Sequence, residues 1–92
     1  MSRREKRLQK IRRNPKNVAF DDLNQLLRDY GFELRRVTGS HHIFEYNLEG
    51  ERLKFIVPFG RPVKPYYVKE AIRIIDLMAQ SESEDDTDEE DD

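Results

Sequence analysis

The chain has 92 residues, of which 39% are charged and 36% hydrophobic, with a formal net charge of −2 and no cysteine. That length holds one small domain, and the lack of thiols excludes a disulfide framework, a thiolate zinc site and a cysteine nucleophile. The highly charged start has no apolar core of a signal peptide, and no apolar run approaches the roughly 18–20 residues of a membrane span, so a cytoplasmic protein without membrane contact is expected.

The small net charge conceals two opposed ends. Residues 1–17 carry eight basic side chains against Glu5, and residues 81–92 carry nine carboxylates and no base. Residues 18–80 balance nine against nine. The division expected is therefore a basic extension over 1–17, a domain over 18–80 and an acidic tail over 81–92.

In chain order, residues 2–13 are a candidate basic helix with only Leu8 and Ile11 as apolar anchors, which makes it marginal alone. Asn14-Pro15 ends it. Over residues 20–30, Leu23, Leu26, Leu27 and Tyr30 recur at the spacing of one buried helix face. Asp21 and Asp22 suit its first turn, and Gly31 supplies the stop. The period then shortens. Phe32–Thr38, His41–Tyr46 and Arg52–Val57 are three strand-like runs, joined through Gly39-Ser40 and through 47–51, links short enough for an antiparallel meander. Pro58 to Pro65 reads as a loop. Helical spacing returns over Tyr66–Ala79, with Val68, Ala71, Ile72, Ile75 and Met78 on one side. Helix, three antiparallel strands and helix make a two-layer α+β sandwich with one sheet face open. Residues 80–92 hold no apolar side chain and are expected to be disordered.

Candidate chemistry centres on Gly39-Ser40-His41-His42-Ile43-Phe44. Alternation along a strand sends His41 and His42 to opposite faces, so they cannot share a metal, and no ligand set completes a site. A solvent-facing imidazole exchanges protons near neutral pH. By the same parity His42, Phe44 and Tyr46 share one face, and His41 shares the other with Ile43 and Glu45. With His42 on the open side, Phe44 and Tyr46 are surfaces for nucleobase stacking. With the aromatics in the core, His42 is partly buried. The period leaves both readings open. Arg61, Lys64 and Lys69 bring cations to the start of the last helix, where free N–H groups also favour phosphate. The N-terminal basic segment suits either RNA phosphates or the acidic tail.

The Gly-Ser-x-His run resembles the HicA family, the mRNA interferases of toxin–antitoxin pairs. The resemblance extends to Asp22–Leu34, with its Gly-Phe, to Ile56-Val57-Pro58 and to Val68–Leu77, and covers roughly residues 17–78. It implies a double-stranded-RNA-binding-domain-like fold and a metal-independent endoribonuclease that cleaves mRNA without a cofactor and is neutralised by a HicB-type antitoxin. It places the catalytic histidine at His42 and makes His41 auxiliary; beside it, the residues read above supply the candidate RNA contacts Ser40, Phe44, Tyr46, Arg61, Lys64 and Lys69, with Gly39 auxiliary. Many relatives carry a further histidine after the Val-Pro of the third strand, where this chain has Phe59-Gly60. The alternative is a module of the same fold that binds RNA or protein without cleavage, autoinhibited by its acidic tail. The nuclease reading expects His42 wet on the uncovered side of the sheet.

Overall fold

The computed structural model describes residues 2–85, with side chains described through Gln80. Its elements are α1 (Arg3–Arg13), α2 (Phe20–Asp29), β1 (Glu33–Thr38), β2 (His41–Leu48), β3 (Glu51–Pro58) and α3 (Pro65–Asp85). The three strands form one antiparallel sheet in the order β1-β2-β3. This is the α+β order expected from the sequence.

Two tight turns set the register. In the first hairpin Thr38 pairs with His41, leaving Gly39-Ser40 as a two-residue loop in which Gly39 alone has positive φ, at 60°. That is the arrangement of a II′ turn, whose first central position admits glycine readily and a β-branched side chain poorly. In the second, Leu48 pairs with Glu51, and Glu49 and Gly50 both have positive φ, at 52° and 85°. That I′ geometry lets β2 and β3 run longer than the sequence runs suggested, because only two residues are needed to turn.

The core lies on one face of the sheet. Phe44, Tyr46, Phe55 and Val57 point into it from β2 and β3, and meet Leu23, Leu26 and Leu27 of α2 and Val68, Ala71 and Ile75 of α3. Burying a side chain of this size contributes about 1.5–3 kcal/mol against solvent exposure. On the other face Ile43 is only half-buried and Ile56 is exposed. Every residue of β1 is exposed, and the strand is interrupted by an irregularity between Leu34 and Arg36. Phe32 sits buried just ahead of β1, its ring stacked on Tyr46 at 4.6 Å.

The N-terminal helix is docked. Ser2 and Glu5 close a capping box, which satisfies two otherwise unpaired N–H groups. Leu8 and Ile11 are buried, Arg7 pairs with Asp29, and Arg12 binds Asp76 through two hydrogen bonds of 3.0 and 3.2 Å. At the other end, α3 starts with Pro65 in the first helical position, where its missing N–H costs nothing. The helix continues to Asp85, past the expected end at Ala79, since no Gly or Pro interrupts it. The expectation of disorder beyond Asp85 lies outside the described residues.

Candidate functional site

The expected placement of His42 on the open side of the sheet is corrected. His42 pairs with Val37 and Val57 and shares its face with Phe44 and Tyr46, and these two are 0% and 7% exposed. The face is the one the helices cover. Phe44 and Tyr46 are therefore core side chains, and no base can stack on them; burial of the Tyr46 ring also raises its phenol above the ordinary range. His42 escapes their fate because it stands at the beginning of β2, at the margin of the helix layer, where it is half-buried.

Three elements meet around it. The imidazole lies against Phe20, the first residue of α2, with ring centroids 4.4 Å apart and planes inclined by 49°. Phe20 in turn touches Phe59, 5.3 Å away and just beyond β3. His42 Nδ1 is 3.2 Å from the carbonyl oxygen of Ser40. A carbonyl only accepts, so in the neutral ring Nδ1 carries the proton and Nε2 keeps its lone pair. The same Ser40 oxygen accepts the Phe59 N–H at 2.7 Å, which ties the end of β3 to the turn that positions the histidine.

The segment after β3 is fastened at both ends, by that bond and by Val63 N–H donating to Val18 O at 2.9 Å. Val63 is fully buried. Arg61 is held between these anchors, exposed, its guanidinium carbon 5.8 Å from the centroid of Phe59. Phe20, Phe59 and Arg61 belong to the wall of an open cleft of about 690 Å³, together with Lys10, Ala19 and Asp21. Ala19 caps α2 without a side-chain acceptor, so the cleft borders first-turn N–H groups that helix geometry leaves unpaired. His42 is not on the wall itself but directly behind Phe20. The charged lining is two cations, Lys10 and Arg61, and two carboxylates, Asp21 and Asp22, and of the two rings Phe59 is exposed while Phe20 is buried.

Of the other expected residues, Gly39 and Ser40 act through backbone geometry. His41 is exposed and on the opposite face, beside Thr38 and Pro58. Lys64 and Lys69 are exposed and do not line the cleft; the Lys64 carbonyl instead accepts the N–H groups of Tyr67 and Val68 at the start of α3. Sequence reasoning missed Phe20, Phe59 and Lys10. Phe20 had a visible signal, since it precedes Leu23 and Leu27 by three and seven positions and extends their stripe.

The fold and site define a small two-layer α+β domain whose hydrogen-bonded, half-buried histidine lies behind the Phe20 wall of an open, charged cleft. The model of the family described as HicA toxin of bacterial toxin–antitoxin systems matches residues 20–77. That is well over half of the chain, and the chain belongs to this family of toxins, which implies an antitoxin partner. Among curated proteins and solved structures, no match to the chain was found. No helix among the described residues is long and apolar enough to cross a membrane.

Proposed function

We propose that the chain is an endoribonuclease toxin that cleaves mRNA at the cleft beside His42, needs no metal or other cofactor, and is neutralised by a HicB-type antitoxin covering that cleft. The observation that carries the proposal is the bond between His42 Nδ1 and the Ser40 carbonyl, which leaves Nε2 as a base on a ring supported by Phe20. Nε2 takes the proton of a ribose 2′-OH. The 2′-oxygen attacks the adjacent phosphorus, the bond to the 5′-oxygen breaks, and that oxygen takes up a proton from solvent. The products are a 2′,3′-cyclic phosphate and a 5′-OH. Arg61 anchors the phosphate and offsets the charge that develops on it, Lys64 and Lys69, outside the cleft, add only to the longer-range positive field, and the exposed ring of Phe59 receives a flanking base.

A second reading is supported by Phe59, which stands where many HicA relatives have another histidine: a domain that binds RNA without cutting it. One experiment separates the two. RNA is incubated with the wild-type chain and with His42→Ala, each with and without excess EDTA, and the ends of any fragments are identified. Cleavage by wild type in EDTA, lost in His42→Ala, is expected. Cleavage that EDTA abolishes, or that His42→Ala retains in full, overturns the mechanism; binding without cleavage by wild type establishes the second reading.

A further inference from the structure

Helix α1 lies outside the residues matched by the family model, yet it is built into the domain through Leu8, Ile11, Arg7 and Arg12. Those four positions dock it, together with Arg4, whose guanidinium carbon lies 4.8 Å from the centroid of Tyr30. They leave Arg3, Lys6 and Lys10 exposed at spacings of three and four, hence along one stripe about 10 Å long. The three cations line a second cleft, of about 300 Å³, with Arg7, Ile11 and Asp22. Lys10 and Asp22 belong to both this cleft and the one that contains Phe20, Phe59 and Arg61. The two therefore adjoin, and a single trough runs from Arg3 past Lys10 to Arg61.

Cations outnumber carboxylates along it. Arg7 is paired with Asp29, whereas Arg3, Lys6, Lys10 and Arg61 form no ion pair among the described residues. Opposing them at the seam are the carboxylates of Asp21 and Asp22. We infer that the α1 stripe is a track for the phosphate backbone of single-stranded RNA, holding the strand beyond the bond that is cut; this rests on the reading of the adjoining cleft as the RNA site. An acidic peptide would match the charge equally well, and residues 81–92 contain one. RNA is favoured because the stripe opens into a cleft that presents the ring of Phe59, 46% exposed: a base gains by stacking on such a ring, and a carboxylate does not.

The test uses full-length His42→Ala, so that RNA stays intact, and the same protein carrying Arg3→Ala, Lys6→Ala and Lys10→Ala. Binding is followed by fluorescence anisotropy with labelled single-stranded RNAs of about 20 and about 5 nucleotides, and a thermal melt of each protein confirms that both are folded. The triple substitution is expected to weaken binding of the longer RNA by roughly 10- to 50-fold at about 0.15 M salt, and to flatten the slope of log K against log salt by about 2, three contacts at about 0.7 each. The shorter RNA loses much less. Unchanged affinity and slope for the longer RNA overturn the track, the stripe then serving a protein ligand such as the chain's own acidic segment; equal losses for both lengths overturn it too. If His42→Ala binds neither RNA and wild type cuts none, the RNA reading of the cleft itself fails. If wild type cuts RNA and the triple substitution changes nothing, the track alone falls.

Discussion

The imidazole of His42 and the ring of Phe20 lie 4.4 Å apart at an inclination of 49°, so the first residue of α2 serves as the wall that fixes the orientation of the histidine. One side of the imidazole is set by this contact and its Nδ1 by the Ser40 carbonyl. A ring restrained in both ways loses little orientational freedom when a ribose hydroxyl arrives, and small displacements of reacting groups carry large penalties in rate. Phe20→Leu retains an apolar side chain in the core at a cost of about 1 kcal/mol but removes the flat wall. Single-turnover RNA cleavage is expected to fall by roughly tenfold or more while the protein remains folded. A loss no larger than the change in folded fraction, measured by melting, would show that the wall is structural only.

Gly60 occupies a place that admits no side chain. A Cβ added there would stand 2.8 Å from the Pro62 carbonyl oxygen, closer than carbon and oxygen tolerate, and the obstacle is backbone that cannot rotate aside. The loop is tethered by Phe59 and Val63, so Gly60→Ala must displace what lies between, including Arg61. The expected outcome is RNA affinity weakened several-fold, with a melting temperature lowered only a little because the loop contributes one core residue, Val63. Unaltered affinity would mean that Arg61 does not hold phosphate.

Phe44 is the largest of the fully buried side chains, and its truncation measures whether the helix-covered face is the core in solution. Phe44→Ala is expected to destabilise the protein by about 3–5 kcal/mol, read as a shift of the urea midpoint with an unchanged slope. That cost approaches the whole stability of a small domain. A loss below about 1 kcal/mol would return Phe44 to an exposed, base-stacking role.

The periodic parts of this fold were legible because their pattern is local. Leu23, Leu26, Leu27 and Tyr30 announce α2, and the Gly39-Ser40 pair announces a turn. What alternation could not supply is the side of the sheet on which the helices lie. It grouped His42 with Phe44 and Tyr46 correctly, yet a flat aromatic is equally at home in a core and on a base-stacking surface, so the face was assigned wrongly. The cleft was hidden for a different reason. Phe20 and Phe59 stand at an element boundary and in a loop, and Lys10 is ten residues from Phe20 in a helix with two apolar anchors. Its docking depends on Asp29 and Asp76, which are 22 and 64 positions from their arginines, and ion pairs across such separations leave no periodic trace.

On the open face, Glu45 accepts a hydrogen bond of 2.8 Å from Arg52 Nε, and Arg35 approaches the same carboxylate at 3.6 Å. The hydrogen bond from Arg52 is the main reason that the Glu45 carboxyl is held below its ordinary value. A depressed carboxyl in the folded state means that the unfolded chain binds more protons over the acidic range, so stability rises with pH there. The contribution is fully present above the unfolded value of about 4.3 and disappears as pH falls through the lower, folded value. In Glu45→Gln the stability curve between roughly pH 5 and pH 3 should flatten relative to wild type, and the difference should shrink in about 1 M salt, because the pair is accessible to counterions. The substitution lies on the face opposite His42, so RNA cleavage at neutral pH should be unchanged. Parallel acid limbs in the two proteins would mean that Arg52 gives the carboxylate no more in the folded chain than water does.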